Sequence, residues 1–172
     1  MANTFSETVN NFYEKGLAVE YAFASDLLKS EGGQVWHASQ HDDIINHIDV
    51  FWSNGNKEYS FDVKGARKKS RYDSDVSYKT TWLEIQNVNG QCGSLLGNQD
   101  YIAFELEDLW AIVKRKQLLF ALINKLDDKT LYTSNPNEDF KLYQRSGRQD
   151  IIVRVPYEFI VSNTSKFIKK NA

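Results

Sequence analysis

The sequence predicts a single α/β (α+β) domain over residues 1–172, with an N-terminal helix packed on a central mixed sheet of about five strands and a further helix and short strands after it. Three observations carry this. Apolar residues recur at helical spacing over the first thirty positions. From about residue 44 to 114 the pattern changes to β-branched and aromatic runs punctuated by Gly and Asn. A second helical stretch and shorter strands follow, and helix, meander and helix in that order belong to a mixed domain.

Taken in order, Phe5, Val9, Phe12, Val19, Phe23 and Leu27 fall at three-, four- and seven-residue steps and predict one amphipathic helix from Thr4 to Ser30. Gly32-Gly33 stops it. Gln34 to Ala38 is a short strand, and "IINHIDVFWS" is a second by its β-branched and aromatic content. "NGN" turns the chain, with Gly55 supplying a positive φ, and "KEYSFDVKG" returns. Ala66 to Lys79 is a polar, charged loop; "TTWLEIQNV" is the next strand and "NGQCGSLLGN" a glycine-rich connection. "DYIAFEL" and "LWAIVKR" are two more strands, Lys116 to Leu126 a helix, and "KLYQR" and "DIIVRV" short strands around "SGRQ". Pro156 ends the last of these or opens a short helix.

Composition narrows the classes. Apolar residues are 41% and aromatics 13%, enough for a core. No apolar run approaches the roughly 20 residues of a membrane span, so no membrane partner is expected. Cys92 is the single cysteine and excludes an internal disulfide. With a polar, amphipathic N-terminus, this fits a reducing cytoplasm, bacterial or phage-infected. Net charge is −2, so a nucleic-acid partner requires a local basic patch rather than a global field.

Such a patch exists beside the most informative stretch, "HIDVFWSNGNKEYSFDVKGARKKSR". Asp49 ends one strand, and Asp62 and Lys64 alternate on the next. Five of the eight residues from Lys64 to Arg71 are basic. Parity puts Asp49 on one face of its strand, opposite in sense to Ile48 and Val50. Asp62 and Lys64 likewise oppose Phe61 and Val63. A two-residue turn centred on Gly55-Asn56 places Asp49 directly across from Asp62; centred on Asn54-Gly55 it shifts the pairing by two and keeps both acids on one face. Leu83 and Ile85 alternate with Trp82, Glu84 and Gln86 on what reads as a third strand with the same wet face. Like charges directly opposite are destabilising. A divalent cation between them removes the repulsion, and Mg²⁺ is content with one or two carboxylates and several waters. Such an ion polarises a phosphoryl oxygen, and Lys64 is in place to support an attacking water. Arg67, Lys68, Lys69 and Arg71 are then candidates for phosphate contact.

An acid at a strand end, a hairpin, and D-x-K on the returning strand resemble the PD-(D/E)XK nuclease superfamily, with Ile48 where the family name has proline. The resemblance runs from about Glu20 to Phe104 and implies a restriction endonuclease-like core and metal-dependent cleavage of phosphodiester bonds. It assigns Asp49, Asp62 and the helix residue Glu20 to metal, the Val63 carbonyl as a further metal ligand, and Lys64 to catalysis. Gln86 or Glu84 would be an additional active-site residue. Mg²⁺ is the implied cofactor, with Mn²⁺ able to substitute. DNA is the implied substrate, with RNA not separated from it by any motif, and a homodimer is one arrangement that lets a small nuclease cut two strands. The rival class is a catalytically inactive nucleic-acid-binding or assembly protein on the same fold.

Other signals carry less. His37, His41 and His47 with Asp42 and Asp43 match no zinc spacing. The glycine-rich segment lacks the Gly-Lys-Ser/Thr of a phosphate-binding loop.

Overall fold

A computed structural model describes residues 4–68, 76–126 and 130–170. Helix α1 (Thr4–Glu31) precedes β1 (Gln34–His37), a π-helical turn (Asp42–Asn46), β2 (Val50–Ser53) and β3 (Glu58–Lys64). The short β4 (Arg67–Lys68) and β5 (Val76–Ser77) pair with each other before β6 (Thr80–Gln86) and a 3₁₀ turn (Ser94–Leu96). Then come β7 (Tyr101–Glu105), β8 (Leu109–Lys114), α2 (Arg115–Ile123), β9 (Tyr132–Thr133) and β10 (Leu142–Gln144). β11 (Ile151–Pro156), α3 (Tyr157–Ser162) and β12 (Lys166–Lys169) complete the described elements.

The expected central sheet is present and mixed, with six strands in the order β1-β2-β3-β7-β8-β12. β3 and β7 run parallel, and every other neighbour pair is antiparallel. Both faces of β7 and β8 are covered, which explains their unbroken apolar runs: Ala103, Trp110 and Ile112 join the cluster under α1, while Ile102, Phe104, Ala111 and Val113 join the opposite one.

On the α1 side, Phe23 and Leu27 are buried against the sheet, each worth about 1.5–3 kcal/mol of transfer free energy. Phe23 packs edge-on to Trp110, and the Trp110 indole N–H donates to the buried Asp26 carboxylate at 2.9 Å. That bond fixes the helix in rotation as well as position. The helix ends as the sequence predicts. Gly32, at φ +64°, donates its N–H to Leu28 O at 2.9 Å, closing a left-handed cap. Gly33 is required twice over: its φ is +80°, and a Cβ there would lie 2.4 Å from the Ser53 carbonyl oxygen.

The other face of the main sheet packs against a second sheet, ordered β6-β11-β10-β9, together with α2 and α3. This corrects one expectation. β6 does not extend the hairpin as a third strand; β7 takes that place beside β3, and β6 pairs with β11. Alternation along "TTWLEIQNV" reports which side chains face inward, and that reading holds, with Leu83 buried. It carries no information about the partner strand. The strand expected over residues 44–53 is also shorter. It starts at Val50, because Asp42–Asn46 closes a helical turn that leaves Ile44 and Ile45 exposed. Among the described residues, no helix is long and apolar enough to cross a membrane.

Candidate active site

The hairpin of β2 and β3 turns through Asn54–Lys57, with Ser53 paired to Glu58 and Val50 to Phe61. The Asn54 side chain accepts the N–H groups of Asn56 and Lys57, and Gly55 supplies φ +85°. The loop is longer than two residues, yet the register is the one that carries Asp49 toward Asp62. At Asp49 the ladder slips: its N–H donates to Phe61 O at 2.8 Å, although Phe61 already faces Val50. The next ladder donor, Val63 N–H, is taken by the Asp49 carboxylate at 2.6 Å. Asp49 is therefore tied to the backbone between Asp62 and Lys64.

Asp62 is buried at 3% exposure. Its Oδ1 meets Lys64 Nζ at 2.8 Å, and its Oδ2 is buried with no hydrogen-bond partner among the described residues. A buried anionic acceptor without a donor costs free energy unless a cation supplies it. Lys64 keeps 37% of its side chain in contact with solvent. Burial opposes its charge, but the carboxylates of Asp62 and Asp49, with Glu84 behind them, outweigh burial and raise its pKa.

The acids around this pair are crowded. Burial, then the neighbouring Asp62 charge, pushes the Asp49 carboxyl up to about 8, against the pull of Lys64 and of the Val63 N–H. Glu20 is half-buried, and its pKa is raised by loss of water and then by Asp43 and Asp62. The helix reaches the strand end because Gly65 has no side chain; a Cβ there would stand 3.3 Å from a Val19 methyl. The close approach of α1 thus delivers Glu20, the residue after Val19.

Asp43 is a carboxylate to which the sequence pattern assigns no place in this site. Partial desolvation and the Asp62 charge raise its pKa, and Glu20 feels it in turn. It arrives on the helical turn that replaces the start of the expected strand. The signal that could have found it is the left-handed His47, φ 56°, which ends that turn, but strand-like Ile44 and Ile45 conceal it. His47 donates its ring Nε2–H to the Cys92 carbonyl at 2.9 Å, which ties the turn to the glycine-rich segment.

Of the two polar residues expected from β6, Glu84 joins the site through its charge on Lys64 and lines a cleft with it. Gln86, the last residue of β6, donates its amide to Gln149 O at 2.6 Å. Val63 brings its backbone to the site while its side chain packs in the core under α1. Arg67 and Lys68 form β4 directly after the site, and Lys69 and Arg71 lie outside the described residues.

The arrangement suits a hydrated divalent cation of the Mg²⁺ type, which needs one or two carboxylates and completes its shell with water. The orphaned Asp62 Oδ2 and the raised Asp49 fit that demand. A closed protein cage is another matter: among the described residues, no three His, Cys, Asp or Glu side chains form one. Comparison with family models, curated proteins and solved structures finds no match to this chain.

Proposed function

We propose that the protein is a metal-dependent nuclease that hydrolyses phosphodiester bonds in DNA, and that α1 with the main sheet is a restriction endonuclease-like core. One observation carries the reading. The carboxylates of Asp49, just ahead of β2, and Asp62, on β3, lie beside Lys64, and one oxygen of Asp62 is buried without a donor among the described residues. Asp49, Asp62 and the Val63 carbonyl would hold Mg²⁺, with Glu20 as a further carboxylate and Mn²⁺ as a substitute. A bound ion of this kind polarises a phosphoryl oxygen and lowers the pKa of its water. Lys64 binds and orients the attacking water and offsets negative charge on the phosphoryl oxygens. The Val63 N–H, donating to Asp49 Oδ2, fixes the position of that carboxylate.

The test is cleavage of supercoiled plasmid, linear duplex, single strands and a four-way junction in Mg²⁺, Mn²⁺ and EDTA, with Lys64→Ala alongside. Metal-dependent cuts absent from the variant support the enzyme. Equal cutting by both proteins removes Lys64 from the mechanism.

A second reading has its own observation. The Lys64 ammonium already sits on Asp62 Oδ1, so the pair is also a self-satisfied ion pair on a non-catalytic nucleic-acid-binding or assembly protein. DNA binding untouched by Asp62→Ala, with no cleavage in any metal, selects it.

A further inference from the structure

The outward face of the second sheet bounds a cleft of about 600 Å³ that opens on Lys64. Its volume falls within the range of about 300–1,000 Å³ typical of sites that enclose a small organic group. Strand parity builds its wall. Trp82 and Glu84 alternate with the buried Thr81 and Leu83 and so face away from the core. Across the sheet, Trp82 is paired with Arg154, Glu84 with Ile152, and Ile152 with Tyr143. The rings of Trp82 and Tyr143 stand side by side, centroids 6.2 Å apart and 34° from parallel. Arg145, just past the end of β10, also lines the cleft and is held by the buried Asp150 carboxylate. Arg154 is held by Asp139 at 3.3 Å. Each guanidinium is thus held by a carboxylate, while Trp82 and Tyr143 contribute aromatic surface to the lining of the cleft.

We propose that this cleft seats an unpaired base of the substrate next to the scissile phosphate, so that the protein acts on single-stranded or locally unpaired DNA. The inference rests on the nuclease reading above and deepens it. Every base has a π-face that a tryptophan or tyrosine can cover. In an intact duplex both faces of each base are already stacked, and only edges and backbone are presented. The wall stands on the side of the main sheet toward which Asp62 and Lys64 project, and Lys64 lines the same cavity. A strand whose phosphate lies at Lys64 therefore has an adjacent base at the cleft mouth. Glu84 is placed to accept a hydrogen bond from an exocyclic amine of that base.

The test is fluorescence anisotropy in EDTA, so that binding is read without cleavage, using a labelled single strand of about twenty nucleotides and the matching blunt duplex. An RNA single strand of the same sequence forms a third arm. The expected result is a single strand bound about tenfold or more tighter than the duplex. Trp82→Leu and Tyr143→Leu should each weaken single-strand binding by about 5- to 100-fold and change duplex binding less than about twofold. Trp82→Phe, which keeps a stacking ring, should stay within about threefold of the parent. Duplex bound as tightly as the single strand, or Leu and Phe variants that behave alike, overturns the inference. RNA bound tighter than DNA overturns its assignment to DNA. Lys64-dependent cleavage without single-strand preference overturns this inference and leaves the nuclease standing. Absence of cleavage on every substrate overturns the nuclease reading, while the binding comparison still decides what the cleft holds.

Discussion

Replacing Asp49 by asparagine should make the metal-free protein more stable at alkaline pH, and the structure indicates by how much. The Asp49 carboxyl is raised from 3.8 to about 8 by burial and by Asp62. At pH below the ordinary carboxylate range, folded and unfolded chains both hold the proton and nothing is lost. Between about pH 4 and pH 8 the folded chain keeps a proton that the unfolded chain releases, so stability falls as pH rises. From pH 5 to pH 8 the slope of about 1.4 kcal/mol per unit sets a ceiling near 4 kcal/mol. Water reaches the site through the 37%-exposed Lys64 and screens the repulsion, so about 2 kcal/mol is expected. The Asp49→Asn side chain keeps the shape of the original, can still accept the Val63 N–H, and carries no such slope. Thermal unfolding in EDTA at pH 5, 6, 7 and 8 should show the variant's Tm drawing ahead of the parent's by about 4–8 °C across that range. A constant difference across pH, or a parent that gains on the variant as pH rises, would refute the picture of an acid crowded by its neighbours.

Other outcomes follow from the same geometry. Mg²⁺ at about a hundred times its Kd should stabilise the parent by about 2.7 kcal/mol at pH 8, and Asp62→Asn should abolish that shift in a thermal melt. Lys64→Ala should reduce metal-dependent cleavage at least about 100-fold while circular dichroism shows the fold unchanged. Gly33→Ala should cost about 2–4 kcal/mol in chemical denaturation, since it places a Cβ against the Ser53 carbonyl at φ +80°. Arg145→Ala should cost about 3 kcal/mol, because it leaves the fully buried Asp150 without its guanidinium; an unchanged denaturation midpoint would contradict that.

Elements with a strong local period are legible in the sequence. The long helix and its glycine stop, the β2–β3 hairpin, the β7–β8 pair and the β10–β11 pair all stand where pattern places them. Parity along β3 also places Asp62 and Lys64 together, and Asp49 reaches them through the Val63 N–H although the ladder slips at its position. What escapes depends on distance in the chain. Pattern puts β6 in the wrong sheet, since alternation identifies faces and not partners. "KFIK" closes the main sheet edge as β12, but four residues of mixed polarity carry too little period to announce a strand. Asp43 is hidden by β-branched neighbours whose turn is held by backbone bonds, among them Ile48 N–H to Asp42 O at 3.2 Å. Pro156 satisfies both of its readings, as the last residue of β11 and the cap before α3.

The split of β6 from its chain neighbours has a consequence for synthesis. The residues that crowd around Asp62, from Glu20 to Glu84, are all present once residue 84 has left the ribosome. The strand that stabilises β6 is β11, at Ile151–Pro156, and the main sheet edge waits for β12 at Lys166–Lys169. Until β11 emerges, β6 lacks the partner strand that holds Trp82 and Glu84 in place. Closing a contact from residue 82 to residue 154 is slow in loop-closure terms. Completion of the cleft beside Lys64 therefore follows the emergence of β10 and β11, later in chain order than the residues that crowd around Asp62.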